Sequence, residues 1–467
     1  MAARGGAGTM GRMRSPRFLA PTALAAMAAL AGCASTSPTP VVAAPAAQPA
    51  PAPRVVPPSP APVPAPAAAA APAPQRVAAP APPPAHAQSP SQPQDAAGFQ
   101  AWVQGFSREA LDAGISAATV QATLGRARWL PQVVQLDRAQ PEFTRTPWAY
   151  LDSAVSPQRV AQGREQYRAH AAALDAAAAR YGVPASVITA IWGMESNYGR
   201  NFGSFSAIDA LATLAYDGRR REWARGELMA ALRIVDQGEI AASALIGSWA
   251  GAMGHTQFLP SVFLAHAVDA DGDGRRDIWA SVPDVAASTA NFLSHSGWQR
   301  GQPWGAEVRL PAGFDYARTE LTVRQSSAAW AAEGVHGMGD APLPPLEGAS
   351  ILTPAGARGP AVLVGPNFRA LLRYNNSVNY ALAVALLARQ IDGNAGLQAP
   401  WPRDIKPLTR AEITTLQEAL NARGLDAGSA DGVLGPATRA GVRRLQQSLG
   451  LPADGFATRE LLQQVAP

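Results

Sequence analysis

The first 95 residues of this chain contain almost nothing from which a hydrophobic core could form. Alanine and proline dominate them, and aromatic residues are scarce between Pro38 and Gln94. Such a segment cannot bury enough apolar surface to offset the entropy that is lost when a chain becomes ordered. Globular structure must therefore come from the roughly 370 residues that remain of the 467, which is enough for two or three domains.

Residues 1–32 are typical of a lipoprotein signal peptide. Four arginines precede an apolar run over residues 18–30, and small residues follow it. The run is too short to span a bilayer. Cys33 is the only cysteine, and it stands directly after this run in the sequence Leu-Ala-Gly-Cys, which resembles the lipobox of bacterial lipoproteins.

The lipobox resemblance implies that Cys33 is lipidated after cleavage. Because Ala34 follows it rather than aspartate, the resemblance also implies sorting to the outer membrane, with the protein in the periplasm. Plain secretion with cleavage at another site is the alternative. A single cysteine excludes a disulfide within one mature chain.

Residues 33–95 are predicted to form a disordered linker. Their Ala/Pro-rich composition favours extended, polyproline-like conformations that behave as a semi-rigid spacer. Such a spacer lets a tethered domain reach outward from a membrane. A passive disordered tail would have the same physical properties.

The formal net charge of +5 is mostly an effect of the signal peptide. Four of the 39 basic residues lie upstream of Cys33, which leaves 35 basic against 34 acidic residues and a net charge of +1. A nearly neutral folded part offers no basic field to a polyanion. We therefore exclude nucleic acid as a partner.

Apolar spacing predicts a mainly helical fold for most of the remaining chain. Phe99, Trp102 and Phe106 recur at the intervals of one helix face, and similar patterns continue as far as Trp298. Short runs rich in valine and leucine at 308–310, 321–323 and 361–364, separated by proline and glycine, predict a few strands between residues 307 and 364. A helix is predicted again over 379–390, and residues 401–407 are a candidate linker.

One of the predicted helices ends with a carboxylate. Pro184 suits the first position of a helix, and Ile191, Trp192 and Glu195 follow on one face. Glu195 would lie in the last turn, where desolvation and the helix dipole both disfavour negative charge and raise the pKa of a carboxyl group. A raised pKa suits a general acid near neutral pH. An ion pair with Arg200 or another cation is an alternative that this segment leaves open.

Two further segments carry neutral hydrogen-bonding groups. Residues 248–260 place Ser248 and Gln257 among glycines and aromatic residues, which suits a backbone lying close against a ligand. Residues 374–380 contribute the phenols of Tyr374 and Tyr380 and the amide of Asn375. Uncharged groups of this kind suit a polyhydroxylated, N-acetylated sugar, although capping and core packing would explain each of them taken singly.

The segment that begins at Asp269 has the spacing of a cation-binding loop. Acidic residues stand at positions 1, 3, 5 and 9 and glycine at position 6, as at the beginning of an EF-hand loop. Position 12 is Ala280, so ligation would have to close further on, in a longer loop. An Asx-rich turn without metal is the alternative. The predicted ligands of a structural Ca²⁺ or Na⁺ are Asp269, Asp271, Asp273, Arg275 and Asp284.

The last sixty residues or so contain an internal repeat. Residues 416–420 recur as 445–449, and the Asp-Gly pair at 431 recurs at 454. Two similar helix-turn units are therefore predicted. Residues 408–465 resemble the three-helix peptidoglycan-binding domain of many cell-wall enzymes, whereas composition alone would fit a small helical bundle of any purpose.

Residues 96–400 resemble the lytic murein transglycosylase B family, glycoside hydrolase family 103. The resemblance implies a lysozyme-like helical catalytic domain with a small β-containing insertion and an extended loop near residues 269–284. It implies no cofactor for catalysis. The segments that carry it occur in the order expected for the family: 140–143, 191–199, 208–214, 248–260 and 373–377.

The family resemblance implies that Glu195 is the sole catalytic acid and base. It would protonate the glycosidic oxygen between MurNAc and GlcNAc and then deprotonate the C6 hydroxyl of the sugar, which attacks C1 and forms a 1,6-anhydro product without water. The residues that match positions lining the cleft are Ser248, Gln257, Tyr374, Asn375 and Tyr380. Arg220 and Arg221 match positions that meet the peptide stem.

Two other functions remain open at this point. A hydrolytic muramidase would need a second carboxylate near Glu195, and Asp209 and Glu222 are candidates. A non-catalytic wall-binding scaffold would keep the fold without a working cleft. The predicted partners are peptidoglycan glycan strands, a membrane through the lipid on Cys33, and other cell-wall enzymes.

Overall fold

The computed structural model describes residues 96–138 and 145–465. The predicted signal peptide, Cys33, the Ala/Pro-rich linker and the segment 140–143 lie outside the described residues. No helix in the described part of the chain is long and apolar enough to cross a membrane.

The described structure is mainly helical, which confirms the predicted fold class. Two antiparallel sheets of short strands interrupt the helices. The helices that precede residue 392 are α1 (Ala96–Asp112), α2 (Ala117–Ala122), α3 (Pro131–Arg138), α4 (Pro147–Ala154), α5 (Pro157–Ala169), α6 (Ala171–Tyr181), α7 (Ala185–Ser196), α8 (Ala207–Asp217), α9 (Arg221–Asp236), α10 (Pro260–His266), α11 (Val282–His295), α12 (Ser327–Ala332), α13 (Pro366–Tyr374) and α14 (Val378–Ile391).

Helix α7 lies at the centre of this region and packs against α5, α6, α11 and α14. Every residue from Ser186 to Gly193 is buried, as expected for a helix that the core surrounds. Ile188 and Ile191 belong to one hydrophobic cluster, whereas Trp192 belongs to a second. The helix therefore stands between two packed cores, and its C-terminal end emerges where they meet.

The ends of α7 differ slightly from the prediction. Pro184 is the N-cap, with an extended ψ of 139°, so the helix begins one residue later at Ala185. At the other end, Asn197, Tyr198 and Gly199 all adopt left-handed backbone conformations with φ of 50°, 60° and 79°. These three residues turn the chain sharply and stop the helix directly after the turn that carries Glu195.

The β structure falls mostly within the predicted insertion. A four-stranded antiparallel sheet has the order β4-β3-β6-β5, and a small sheet pairs β1 with β2. The prediction of a strand over residues 321–323 is wrong, because these residues form a turn that carries no ladder. The strands are β1 (Phe205–Ser206), β2 (Ile246–Gly247), β3 (Gly305–Arg309), β4 (His336–Gly337), β5 (Ser350–Leu352) and β6 (Ala361–Val364).

Three further helices form the C-terminal domain, as predicted. They are α15 (Arg410–Ala422), α16 (Pro436–Ser448) and α17 (Arg459–Val465). Their apolar faces form one separate hydrophobic cluster that includes Leu416, Val442 and Leu462. Thr409 caps α15 in a complete capping box with Glu412, which explains why the helix begins there.

Candidate active site

Glu195 lies in the last turn of α7, where the residue as a whole is partly exposed but its carboxyl group is buried. Burial raises the pKa of its carboxyl group from 4.5 to about 7, and a hydrogen bond from Tyr380 opposes part of this shift. The phenol of Tyr380 donates that bond to Oε1 of Glu195. Arg200 is exposed, and among the described residues no cation pairs with Glu195. The ion pair that the sequence left open is therefore not formed.

Tyr380 reaches Glu195 from the first turn of α14, where Ser377 caps the helix. Burial raises the pKa of the Tyr380 phenol well above its ordinary value, and the negative charge of Glu195 raises it further. The phenol therefore stays protonated and remains a hydrogen-bond donor. It fixes one oxygen of the Glu195 carboxyl group and leaves Oε2 for other partners.

Tyr198 holds the turn that ends α7. Its hydroxyl donates to the carbonyl oxygen of Arg159 at 2.8 Å, and its ring lies directly over Gly193. A Cβ atom at Gly193 would lie only 2.5 Å from the ring carbon Cζ of Tyr198. The glycine two residues before Glu195 is therefore required for the close approach of this ring, not for a special backbone angle.

Tyr374 connects α13 to the loop 248–258. Its hydroxyl donates to the carbonyl oxygen of Thr256 at 2.7 Å. Its ring packs against Phe258 and Phe292, with centroids 5.8 and 5.0 Å away. Asn375 follows at the C-cap of α13 and is exposed. Tyr374 thus supports one side of the site, and the Asn375 amide remains accessible to a ligand.

Ser248 and Gln257 shape the loop on which they lie. The Ser248 hydroxyl oxygen accepts hydrogen bonds from the backbone N–H groups of Ala250 and Ala252 at 3.3 and 3.1 Å. The Gln257 amide donates to the carbonyl oxygens of Phe202 and Gly254 at 2.9 and 3.0 Å. The bond to Phe202 attaches this loop to the segment that follows α7, whereas the bond to Gly254 lies within the loop.

The two arginines predicted to meet the peptide stem have different surroundings. Arg221 is exposed, whereas Arg220 forms an ion pair of 2.9 Å with Asp137. The Arg220 guanidinium also lies 4.3 Å from the ring centroid of Trp223 and 5.7 Å from that of Trp249, the residue after Ser248. Arg220 therefore links the end of α3 to the loop 248–258.

Asp137 is a residue that the sequence analysis missed. It is only 2% exposed, and it accepts hydrogen bonds from Arg219 as well as the ion pair from Arg220. Burial acts to raise the pKa of Asp137, but the bonds and charges of the two arginines outweigh burial and lower it. No local motif marks this residue, because its partners lie about eighty positions away.

The two carboxylates considered for a hydrolytic mechanism do not share the Glu195 site. Asp209 is buried and accepts hydrogen bonds from the backbone N–H and the guanidinium of Arg128 at 3.1 and 3.3 Å. Glu222 is exposed in the first turn of α9. Within residues 96–138 and 145–465, no second carboxylate contributes to the pKa shift of Glu195.

The loop at 269–284 brings together three of its predicted ligands. Carboxylate oxygens of Asp269, Asp271 and Asp273 all lie within 4.8 Å of one another. Asp284 is fully buried and instead accepts hydrogen bonds from the backbone N–H groups of Ala270 and Asp277, both at 2.7 Å. Hard oxygen donors of this kind fit Ca²⁺.

The last two predicted ligands, Arg275 and Asp284, already bind other groups of the loop through their side chains. Burial raises the pKa of Asp284, although the backbone N–H bonds oppose that shift. The guanidinium of Arg275 pairs with Asp273 at 3.3 Å. The described structure thus brings together the first three of the five predicted ligands and uses Asp284 to hold the backbone of the loop.

Comparison with known proteins connects this geometry to a family. Residues 98–389 match the family model described as the transglycosylase SLT domain, and residues 409–465 match a peptidoglycan binding domain. The chain is 33% identical over 297 residues to the membrane-bound lytic murein transglycosylase B of Escherichia coli (strain K12), covering 60% of this chain and 79% of that protein.

Solved structures are similar over the same region. The crystal structure of SltB3 from Pseudomonas aeruginosa in complex with NAG-anhNAM-pentapeptide is 51% identical, has a TM-score of 0.76, and covers 79% of this chain and 99% of its own. The Escherichia coli lytic transglycosylase Slt35 in complex with calcium is 31% identical with a TM-score of 0.54, covering 62% of this chain and 92% of its own. These similarities confirm the predicted lysozyme-like fold of the catalytic region.

Proposed function

The chain belongs to the SLT transglycosylase family and is a peptidoglycan lytic transglycosylase, and from this premise we propose that Glu195 is its single catalytic acid and base. The observation that carries the proposal is a buried carboxyl group with a pKa of about 7 and no cation beside it among the described residues. Such a group holds a proton near neutral pH and can also take one back.

The reaction needs one group that first gives and then accepts a proton. Protonated Glu195 donates its proton to the glycosidic oxygen between MurNAc and GlcNAc, and the C1–O bond breaks. The Glu195 carboxylate then removes the proton of the C6 hydroxyl, and O6 bonds to C1 to give the 1,6-anhydro ring. Atoms and charges balance without water.

Tyr380 decides which oxygen of Glu195 carries the proton. Its hydroxyl donates to Oε1, so in the neutral acid the transferable proton lies on Oε2. This arrangement supports a fixed direction of proton transfer toward the glycosidic oxygen. Tyr380 therefore has a positioning role in the proposal, and its phenol stays neutral throughout.

The cleft residues divide into two groups in this proposal. Asn375 is exposed and offers its amide to an N-acetylated sugar. The side chains of Ser248, Gln257 and Tyr374 form hydrogen bonds with backbone groups and shape the loop against which the substrate lies. Arg221 is the more accessible of the two arginines for a stem-peptide carboxylate.

Digestion of purified sacculi tests the catalytic proposal. Mass spectrometry of the products should give anhydro-muropeptides, and the Glu195→Gln variant should give none. Hydrated reducing ends would indicate a hydrolytic muramidase instead, and intact sacculi with bound protein would indicate a scaffold. Full activity of Glu195→Gln would remove Glu195 from its assigned role.

We also propose that Cys33 carries a lipid that anchors the enzyme to the outer membrane from the periplasmic side. The lipobox-like sequence and Ala34 support this proposal, and the relative from Escherichia coli is described as membrane-bound. Labelling cells with radioactive palmitate should mark the wild-type chain and leave Cys33→Ala unlabelled. Equal labelling of both, or outer-membrane fractionation of Cys33→Ala, would contradict the anchor.

The loop at 269–284 is proposed to hold a structural Ca²⁺ through Asp269, Asp271 and Asp273. The cluster of carboxylates supports this, and a related transglycosylase has been crystallised in complex with calcium. Bound Ca²⁺ would neutralise their mutual repulsion and stabilise the loop. Added CaCl₂ should raise the unfolding temperature of the wild type but not of Asp271→Asn, with exposed Asp340→Asn as the control.

A further inference from the structure

The two repeats of the C-terminal domain contain the same network of hydrogen bonds. In the first repeat, Oε1 of Gln417 accepts from the Gly432 N–H at 2.8 Å, and its Nε2 donates to Oδ1 of Asp431 at 3.1 Å. The same Oδ1 also accepts from the Val433 N–H at 2.9 Å. The glutamine on one helix and the aspartate on the following turn are therefore hydrogen-bonded to each other, and each also accepts a hydrogen bond from a backbone N–H of that turn.

The second repeat reproduces this network residue for residue. Oε1 of Gln446 accepts from the Gly455 N–H at 2.8 Å, and its Nε2 donates to Oδ1 of Asp454 at 2.7 Å. Oδ1 of Asp454 also accepts from the Phe456 N–H at 2.8 Å. In both repeats one carboxylate oxygen is fully used inside the domain, and the second oxygen is left over.

The second oxygen has a different environment in the two repeats. Oδ2 of Asp454 accepts a 2.7 Å hydrogen bond from the backbone N–H of Ala357, which belongs to the β-containing insertion. Asp431 is exposed, and no N–H of the insertion reaches it in the described part of the chain. The turn of the second repeat thus contacts the catalytic region, whereas the corresponding aspartate of the first repeat is exposed to solvent.

The contact at Asp454 is tight. Gly356 has a φ of +69°, and a Cβ atom there would lie 2.4 Å from Oδ2 of Asp454 and 2.8 Å from Cβ of Phe456. A second link pairs Arg443 of α16 with Glu320 of the insertion, and the Arg443 side chain is only 12% exposed. Ion pairs shielded from solvent are screened less by salt than exposed ones.

The connecting segment 397–407 lies along the catalytic region. Glu307 of β3 accepts hydrogen bonds from the N–H groups of Gln398 and Ala399 at 2.7 and 2.8 Å. The Trp401 ring lies 6.3 Å from that of Trp148 on α4. A cavity of about 240 Å³ is lined jointly by the insertion, this segment and the C-terminal domain. The segment 397–407, which includes the candidate linker 401–407, is therefore held at several points.

We infer that the β-containing insertion is a docking platform that fixes the C-terminal domain in one orientation relative to the Glu195 cleft, through the contact of Asp454 with the Gly356–Ala357 turn. One functional consequence rests on the proposed function: a wall polymer held by the C-terminal domain lies at a fixed distance from Glu195. The docking itself is a property of the fold and does not depend on catalysis.

Asp454→Asn and Asp431→Asn form a matched pair that tests the docking. In either variant the remaining oxygen can keep the network within its repeat, but at position 454 an amide N–H would face the Ala357 N–H and the bond is lost. Loss of this charge-assisted bond should speed amide exchange at Ala357 about tenfold in Asp454→Asn. Asp431→Asn should leave that exchange rate at the wild-type value.

A second matched pair lies on the insertion side of the contact. Gly356→Ala adds a Cβ against Asp454, whereas Gly348→Ala adds the same methyl at a glycine with φ of +59° and no atom within 4 Å. Both substitutions strain a left-handed backbone. Only Gly356→Ala should also accelerate exchange at Ala357, which separates lost docking from ordinary strain.

Distance measurements report the orientation directly. In the full chain with Cys33→Ser, nitroxide labels at the exposed positions Arg108 and Glu418 should give one narrow distance distribution for the wild-type interface. The distribution should broaden in Asp454→Asn and stay narrow in Asp431→Asn. A broad distribution in the parent, or identical results for the two aspartate variants, would overturn the inference while leaving the anhydro-product assay unaffected.

Discussion

Two acidic side chains of the catalytic region show what decides the protonation of a buried carboxyl group. Burial is the largest influence on both Glu195 and Asp137, and in both it acts to raise the pKa. Two guanidinium groups surround Asp137 and lower its pKa, whereas Glu195 has only the neutral phenol of Tyr380 and its pKa rises to about 7. The absence of a cation, and not burial alone, makes Glu195 an acid.

Glu195→Gln should have the largest effect of the substitutions considered. The rate of anhydro-product release should fall at least about a thousandfold, because the variant can neither give nor take the proton. Asp137→Asn should retain most of the activity, since Asp137 does not touch the reacting atoms. Initial rates on sacculi at pH 5 to 8 measure both, and comparable losses in the two variants would show that the distinction between them is wrong.

The stabilities of Glu195→Gln and Asp137→Asn, each measured relative to the wild type, should change with pH in opposite directions. The folded-state pKa of Glu195 lies above its ordinary value of 4.5, so the wild type loses stability as pH rises from about 4.5 to 7, and Glu195→Gln escapes this loss. The lowered pKa of Asp137 contributes stability above its ordinary value of 3.8, and that stability is lost as pH falls.

Calorimetry across this range should therefore show that the stability of Glu195→Gln relative to the wild type increases toward pH 8. Asp137→Asn should be less stable than the wild type by about 2 kcal/mol at pH 7, the typical contribution of hydrogen bonds to charged groups. The deficit should shrink toward pH 3. A Glu195→Gln difference that does not change between pH 4 and pH 8 would refute a raised pKa.

Gly193→Ala tests whether the position of Glu195 depends on close packing as well as on charge. Alanine normally stabilises a helix interior by up to about 1 kcal/mol relative to glycine. Here its Cβ would overlap the Tyr198 ring, and overpacking should cost about 1–3 kcal/mol. Chemical denaturation measures the net change, with Gly226→Ala in α9 as the control because that site is open. Stabilisation by Gly193→Ala would contradict the observed packing.

Tyr380→Phe should give the smallest change of these substitutions. The phenol bond lowers the pKa of Glu195 against the effect of burial, so its removal should raise that pKa further. The activity limb at high pH should then move upward by about one pH unit, the equivalent of one hydrogen bond. A rate loss with an unchanged pH profile would mean that Tyr380 has only a structural role.

Local patterns predicted the elements of this fold well. The apolar spacing that ends at Glu195, the helix over 379–390 and the repeated helix-turn units of the C-terminal domain all depend on side chains within a few turns of one another. The prediction of a strand at 321–323 failed because a run of three residues with good strand propensity cannot specify a strand when no neighbouring strand pairs with it. The structure shows where the predicted site residues lie, but the roles assigned to them stay predictions.

The sequence by itself determined the helical class and the placement of one carboxylate at the end of a buried helix, because each of these follows from spacing along a single segment. Only the tertiary structure decided that Glu195 meets Tyr380 and no described cation, that Asp137 binds two arginines, and that Asp454 docks on Ala357. These contacts join residues from about 80 to 185 positions apart, and no local pattern encodes such pairings.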